Sequence, residues 1–362
     1  MSLFKRALKA SCLLGLLATG AQAQDVHFAQ FYENAALRNP ALTGIFSGDY
    51  KVGANYRSQW SALPNPYQTL MASAEARTRL SATTNDYFSY GLSVTYDKAG
   101  SISLNTLQIM PTINYNKNLR DDRNSYISVG FGGGYIQRSF NLSDVTTNSQ
   151  YGGNGYDPGL SSGENFSNVK LNQFDLSAGI SFNSSIGKAR RANYYVGVSA
   201  YHVTRPKESF MQEDRTFSRL TGKYSAQAGL SVLMTQNFGL TTHFNYTNQH
   251  PYQEWIGGGL LSYYSRDRFN EKRNVALSAG AFYRLDDAII PTVKIDFRDI
   301  ALTASYEIST NSAHQGLGNT MEFSIFMRGF FPRADRATDQ IMCPRFEVGS
   351  GSPYEVYERN YY

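Results

Sequence analysis

The stretch YFSYGLSVTY, residues 87–96, decides the fold because its side chains alternate strictly between two kinds. One set is apolar or aromatic and comprises Phe88, Tyr90, Leu92, Val94 and Tyr96. The other set is small or hydroxyl-bearing and comprises Ser89, Gly91, Ser93 and Thr95. Successive side chains of an extended strand point to opposite faces. The stretch therefore predicts a β-strand with one polar face and one oily face that carries rings near its ends.

The same division recurs along the chain, in FDLSAGISFN (174–183), VALSAGAFY (275–283), IALTASYEI (300–308) and TMEFSIFM (320–327). Asp175 would be costly in a dry core but is tolerated in a wet barrel interior. Phe326 interrupts the polar set, so the interior is not uniformly polar. Counting such segments predicts about fourteen strands, an even number typical of bacterial outer-membrane barrels. They start near residues 50, 67, 88, 102, 125, 169, 193, 223, 238, 253, 273, 288, 300 and 319.

The composition favours a transmembrane antiparallel β-barrel over other all-β folds. Aromatic residues make up 14% of the 362 residues and charged residues only 17%, yet the mean hydropathy is −0.40. This combination is expected when only every second strand residue faces lipid. After the N-terminal region, no stretch approaches the roughly 18 consecutive apolar residues of a spanning helix. The soluble alternative buries one face against a second sheet, and so many strands would require an unusually large sandwich.

The first residues predict export. Lys5, Arg6 and Lys9 precede the apolar run CLLGLLA, and AQA at 21–23 supplies small residues for cleavage before Gln24. We therefore predict a signal peptide at 1–23, an N-terminal segment and turn at 24–49, a barrel at 50–331 and a periplasmic tail at 332–362. Without the three basic residues of the signal, the 34 basic and 29 acidic residues leave a net charge of +2. This balance gives no reason to expect nucleic-acid binding.

The sequence gives no catalytic, cofactor or metal site. The five histidines lack close metal-ligand spacing, and neither a G-x-S-x-G elbow nor an HExxH helix is present. A lipid-modifying barrel enzyme could use His202 or His243, but nothing pairs either residue with a nucleophile and an orienting acid. A polar interior or rim position explains both histidines better. We therefore predict a protein that is not an enzyme.

The order of the connections predicts which end of the barrel faces outward. If the mature N-terminus is periplasmic, every connection from an odd to an even strand is extracellular, where long loops are expected. The two longest connections, 139–168 and 204–222, join the fifth strand to the sixth and the seventh to the eighth. Both therefore lie outside the cell, while short links such as TQNFG and FRDI lie in the periplasm.

Three motifs resemble one family and keep its order along the chain. They are FAQFYENAALRNPALTGIFSGDYKVGANYRSQW near the start, GVSAYHVTRPKESF in the middle, and YRLDDAIIPTVKIDFRDIALTASYEIS followed by GNTMEFSIF near the end. Together they resemble the PorP/SprF family. This resemblance implies an outer-membrane β-barrel associated with the type IX secretion system and, in gliding bacteria, with delivery of large surface adhesins. It implies no enzymatic activity and no cofactor.

Two candidate sites come from these motifs. Asn39, Pro40 and Ala41 match the family's Asn-Pro-Ala turn, which we interpret as a structural turn that aims the chain into the first strand rather than as a partner contact. The second site is the external RPKESF motif, whose partner-binding candidates are Arg205, Lys207, Glu208 and Phe210. These side chains either solvate the loop or receive a secreted partner.

The tail supplies a third candidate site. It is rich in proline, glycine and serine, which favours an extended or disordered segment. It also carries more apolar residues than a solvating tail requires. We therefore expect it to dock on a periplasmic component of the secretion or motility machinery, centred on Cys343, Pro344, Arg345 and Phe346.

Together these patterns predict an outer-membrane barrel that anchors or docks a secreted surface adhesin, contacts periplasmic secretion components and is surrounded by outer-membrane lipid. The alternative is a passive channel or small-solute transporter of similar architecture. The sequence leaves open whether the lumen is plugged and whether the N-terminal segment lies inside the barrel.

Overall fold

The computed structural model describes residues 25–80, 84–100, 102–121, 123–152, 155–157, 159–163, 169–186, 191–210, 219–266, 273–314, 316–331 and 346. Its principal elements are fourteen long strands within these residues. They are β1 Tyr50–Gln59, β2 Tyr67–Arg79, β3 Tyr87–Ala99, β4 Leu104–Asn118, β5 Tyr126–Ser139, β6 Lys170–Ile186, β7 Ala192–Tyr201, β8 Lys223–Leu233, β9 Phe238–Gln249, β10 Tyr252–Arg266, β11 Arg273–Arg284, β12 Ala288–Phe297, β13 Ile300–Ser309 and β14 Thr320–Gly329. Each begins within two residues of its predicted start.

The strands form one closed antiparallel barrel in which each strand pairs with its neighbours in sequence. β1 closes the barrel by pairing with β14, with Tyr50 opposite Gly329 and Ser58 opposite Met321. Closure matters because an open sheet edge would leave backbone groups unpaired in lipid. The predicted all-β transmembrane barrel is therefore confirmed.

Short helical turns accompany the barrel. The described residues include one helical turn, α1 Ala35–Arg38, and the 3-10 turns Pro40–Leu42, Leu142–Asp144, Asn148–Gln150 and Ser312–His314. In this part of the chain no helix has the length and apolar character needed to cross a membrane.

The predicted alternation of faces is observed on the strands. Phe174 is 73% exposed on the outside of β6, whereas its neighbour Asp175 is buried inside. On β14, Phe323 faces outward while Glu322 and Phe326 are both buried inside. The outer surface is therefore the apolar, lipid-facing one, and the interior carries most of the polar side chains.

The two ends of the barrel differ in their connections. The longest connections, residues 140–169 and 202–222, leave one end, together with the links that follow the other odd-numbered strands. The turns at 80–86, 119–125, 234–237 and 298–299 leave the other end. Long loops are extracellular in bacterial barrels and short turns are periplasmic. We use the terms extracellular end and periplasmic end accordingly.

The segment 25–49 lies inside the barrel, and we call it the plug. Asp25 contacts Lys223, the first residue of β8, and Gln249, the last residue of β9, at the extracellular end. The plug then runs to the periplasmic end, where Tyr50 begins β1 opposite Gly329. It therefore crosses the lumen from one end to the other before the first strand begins. The periplasmic start assumed from the sequence thus applies to β1, whereas Asp25 lies at the extracellular end.

Candidate functional site in the barrel interior

The middle of the plug is the Asn-Pro-Ala turn. The backbone of Asn39 is extended, with φ −160°, and Pro40 begins the 3-10 turn that follows. Proline is suited to this position because it has a fixed φ and lacks an amide donor that would remain unpaired there. The Asn39 Oδ1 atom accepts a hydrogen bond of 2.8 Å from the Ala41 amide, which caps the turn.

Asn39 also attaches the turn to the wall. Its Nδ2 atom donates to the backbone oxygens of Ile180 and Val198, each at 3.2 Å. The same atom lies 3.1 Å from Gln227 Oε1. One side chain thus connects the plug to β6, β7 and β8.

Three inward-facing glycines give the turn its place on the wall. A Cβ atom at Gly130 would lie 2.3 Å from the Ala41 nitrogen, and one at Gly179 would lie 2.0 Å from Asn39 Oδ1. A Cβ at Gly197 would lie 2.7 Å from Asn39 Nδ2. Real Cβ atoms do not approach so closely. The turn therefore fits because β5, β6 and β7 each present a glycine at this point.

Wall side chains satisfy the plug backbone around this turn. Ser199 Oγ and Gln227 Nε2 donate to the Arg38 carbonyl at 2.6 and 2.9 Å. Asn114 Nδ2 donates to the carbonyls of Ala41 and Thr43 at 2.9 and 2.8 Å. A buried backbone group requires such partners, so the polar lumen substitutes for water along the plug.

Charged wall residues hold the part of the plug that precedes the turn. Glu322 accepts hydrogen bonds from the amides of Ala29 and Gln30, at 2.6 and 3.0 Å. Lys51 and Lys294 both reach Glu33 of the plug, with Lys294 Nζ 2.7 Å from a carboxylate oxygen. These charges therefore act within the barrel, in contacts with the segment that fills it.

Aromatic packing adds to these polar contacts. The Tyr32 ring stacks on His243 of β9 with 5.0 Å between centroids, and on Phe282 of β11 at the same distance. Phe31 packs edge-on against Phe282 at 5.5 Å. The plug thus also has an apolar contact with β9 and β11, next to the strands that hold Asn39.

An ionic cluster fixes the plug at the extracellular end. Asp25 pairs with Lys223, and His202 Nε2 lies 3.6 Å from Asp25 while its Nδ1 lies 2.8 Å from Asp175. Burial alone would lower the pKa of His202, but its contacts with Asp175 and Asp25 outweigh burial and raise that pKa above its ordinary value. Burial opposes ionisation of Asp25 as well, yet Lys223 and His202 hold its pKa well below the ordinary range. The cluster joins the plug to the loop that follows β7.

The RPKESF motif lies in that same loop. Glu208 forms an ion pair with Arg138 of β5, and the Phe210 ring packs edge-on against Phe140 at 5.0 Å. These two candidates are partly buried against the barrel rim. The other two, Arg205 and Lys207, are exposed. The structure thus separates the predicted set into two residues that hold the loop and two that face outward.

Phe346, from the predicted tail, also lies inside the barrel. It is buried, and the centre of its ring lies 4.6 Å from that of Tyr195 and 5.1 Å from that of His243. Asn193 Nδ2 donates to the Phe346 carbonyl at 3.3 Å. Leu42 of the plug belongs to the same apolar cluster. The other tail candidates, Cys343, Pro344 and Arg345, lie outside the described residues. Docking of this region on a periplasmic component stays a prediction.

Comparisons with known proteins complete this description. Among solved structures, the Ralstonia pickettii toluene transporter TbuX is 11% identical, with 82% of this chain and 93% of that chain covered and a TM-score of 0.49. The Pseudomonas putida toluene transporter TodX is 12% identical, with 81% and 92% covered and a TM-score of 0.49. A Pseudomonas aeruginosa FadL homologue is 10% identical, with 81% and 92% covered and a TM-score of 0.47. No curated protein sequence matches the chain.

The family comparison is specific and extensive. A model described as type IX secretion system membrane protein PorP/SprF matches residues 20–327, which include the plug and nearly all of the barrel. A closed barrel of fourteen strands in a chain that matches this family is an outer-membrane protein. The chain belongs to the PorP/SprF family of type IX secretion system membrane proteins.

Proposed function

We propose that the protein is a docking barrel, which anchors or receives a secreted surface adhesin at its extracellular end and contacts periplasmic secretion components at the other. It performs no catalysis in this role. The observation that carries the proposal is the plug, which crosses the lumen and is attached to β1, β6, β7, β8, β12 and β14. A barrel filled in this way offers its rims and loops to a partner rather than an open path to a solute.

The extracellular end supplies the surface for a secreted partner. Arg205 and Lys207 are exposed there, on a loop whose base is held by Glu208 and Phe210. The connection between β5 and β6 adds a short hairpin in which Tyr151 and Tyr156 are exposed and lie 5.7 Å apart. Exposed tyrosine and arginine side chains are both enriched where proteins recognise one another.

The contacts of the two candidate histidines support a role without catalysis. His202 takes part in the ionic cluster that holds Asp25, and His243 is stacked on Tyr32 with Nδ1 3.1 Å from the Tyr195 hydroxyl. Both side chains are buried. Through these contacts with Asp25 and Tyr32, both histidines hold the plug.

The experiment is an affinity purification from outer membranes, with the full-length barrel and with a version that ends at Phe331, followed by mass spectrometry. We expect a large surface protein with both versions and periplasmic secretion components only with the full-length chain. In parallel, Arg205→Ala combined with Lys207→Ala should reduce recovery of the surface protein. Arg120→Ala, in an exposed periplasmic turn, is the control.

Recovery of no partner under gentle detergent, together with steady ion conductance of the purified barrel in planar bilayers, would instead favour the passive channel. Lipase activity that is lost on substitution of His202 or His243 would contradict the proposed absence of catalysis.

A further inference from the structure

Arg38 of the plug is a buried cation without a carboxylate partner among the described residues. Its side chain donates through Nη1 to the Tyr195 hydroxyl at 3.0 Å, and its guanidinium lies 5.3 Å from the centre of the Phe31 ring. Its Nε atom is buried and has no hydrogen-bond partner. A buried charge without a counterion is costly, so a site for an anion is expected beside it.

Four other buried cations of the lumen have carboxylate partners. Arg57 and Arg284 both pair with Glu307, each with a nitrogen to oxygen distance of 3.0 Å. Lys51 and Lys294 share Glu33. The interior thus supplies a carboxylate to these cations, and Arg38 differs from them.

Asn34 adds a second unsatisfied group on the same side of the plug. It lies four residues before Arg38, a spacing that places two side chains on one side of a helical turn. It is 4% exposed, and both Oδ1 and Nδ2 are buried without a hydrogen-bond partner. Buried polar atoms are nearly always paired, so the Asn34 amide and the Arg38 Nε atom indicate a polar partner that the described residues do not supply.

Both residues line one cavity between the plug and the wall strands β8 to β10. It contains about 750 Å³ of empty space, including the part open to solvent. Its apolar surface comes from Phe28, Phe31 and Leu37, and it extends to Tyr252 at the extracellular end, where the ring is 38% exposed. A ligand can therefore enter from outside the cell and reach Arg38.

We propose that this cavity binds a carboxylate carried on an apolar body. The carboxylate accepts hydrogen bonds from the Arg38 guanidinium and the Asn34 amide, and the apolar body packs against the Phe28 and Phe31 rings and Leu37. A guanidinium is well suited to this role because its donors match the two oxygens of a carboxylate.

The balance of charges in the lining favours a singly charged ligand. Lys223 is paired with Asp25, and Glu254 is paired with Arg284 at 3.2 Å. Arg38 is thus the one lysine or arginine of the described lining without an ion pair, and a single guanidinium matches a monoanion better than a doubly charged phosphate. This inference does not depend on which proteins the barrel docks.

Octanoate is a suitable probe, tested by isothermal titration calorimetry on the full-length barrel in lipid nanodiscs. Empty nanodiscs correct for partition into lipid. We expect saturable binding of octanoate to the barrel. Acetate, which lacks the apolar body, and 1-octanol, which lacks the charge, should each bind at least about tenfold more weakly.

Two substitutions test the assigned residues. Arg38→Gln removes the charge, and Asn34→Asp supplies an internal carboxylate beside Arg38 with almost no change in shape. Each should weaken octanoate binding at least about tenfold, whereas Arg120→Gln, at an exposed turn, should leave it unchanged. The mobility of unheated protein on a denaturing gel checks that each variant is a folded barrel.

Asn34→Asp keeps the test decisive if Arg38→Gln fails to fold. Equal affinity for octanoate and 1-octanol, full octanoate affinity in Asn34→Asp, or absence of saturable octanoate binding would each overturn the proposal.

Discussion

The Nδ2 atom of Asn39 lies 3.1 Å from the Oε1 atom of Gln227, which joins the centre of the plug to the inner wall of β8. The same nitrogen reaches the carbonyls of Ile180 and Val198 on the two preceding strands. This one amide therefore links a segment that precedes the barrel in sequence to three consecutive wall strands.

Removal of this amide should loosen the plug. Asn39→Ala deletes the capping bond to Ala41 and leaves the Gln227 oxygen without its donor. Each buried polar group that loses its partner costs about 1–3 kcal/mol. We expect frequent opening events in planar-bilayer recordings of the variant, compared with a quiet wild-type barrel. Asn172→Ala, at an exposed position of β6, should remain quiet. Identical recordings for Asn39→Ala and wild type would contradict the anchoring role.

A side chain at position 130 should displace the same turn through a steric clash. In Gly130→Ala the added Cβ would meet the backbone of Pro40 and Ala41 at 2.3 Å. Backbone atoms cannot rotate away as a flexible side chain can, so the turn has to move. We expect faster proteolysis within the plug, with the barrel strands still resistant.

Gly133→Ala provides a closely matched control for that substitution. It lies on the same strand, and the nearest atom to its added Cβ is Leu176 Cδ2 at 4.0 Å. Its proteolysis rate should equal that of the wild type. Equal proteolysis rates for both alanine variants would show that the turn does not pack against β5.

The strands were predictable from the sequence, whereas the plug was not. Period-two alternation is a local property, and a stretch such as residues 87–96 shows both its oily and its polar set without reference to the rest of the chain. The glycines that seat the turn, Gly130, Gly179 and Gly197, appear in sequence only as small members of the polar face. Their common role arises because three strands bring them to one point on the wall.

The candidate sites illustrate the same limit. The sequence predicted a turn at Asn39, since proline and asparagine specify one locally, and a 3-10 turn follows this residue at Pro40–Leu42. It gave no signal that Glu208 would meet Arg138, or that Phe346 would meet Tyr195, because each contact joins residues far apart in the chain. Nor could it single out Arg38, which is distinguished by forming no ion pair with a carboxylate of the described residues.

Attachment of the N-terminal end of the plug should depend on pH. The pKa of His202 is raised, so its contribution to stability is fully present below its unfolded pKa of about 6.5 and is lost as the pH rises through the higher folded value. The pKa of Asp25 is lowered, so its contribution is lost only in acid, as the pH falls through that folded value. The attachment is therefore strongest at a pH above the folded pKa of Asp25 and below the folded pKa of His202. It weakens toward alkaline pH.

Hydrogen exchange read by mass spectrometry checks this dependence. After correction for the intrinsic rate, exchange of the amides near Val26 and His27 should increase as the pH is raised above neutrality. The increase will be partial, because Lys223 continues to pair with Asp25. His202→Gln cannot gain or lose this charge and should show no corrected increase. A wild-type profile that is equally flat would exclude the pH-dependent contact.

Loss of the Phe346 side chain should change the reactivity of Cys343, three residues earlier in the chain. Phe346→Ala removes an edge-on contact with Tyr195 and a neighbour of His243, and truncation of a buried phenylalanine costs up to about 3–5 kcal/mol. Cys343 is the one cysteine left after the predicted signal peptide is removed, so maleimide labelling of folded barrels reports on this region. We expect labelling several-fold faster than in wild type. Phe297→Ala, on the exposed outer face, is the control and should label at the wild-type rate. Equal labelling of Phe346→Ala and wild type would mean that Phe346 does not control access to Cys343.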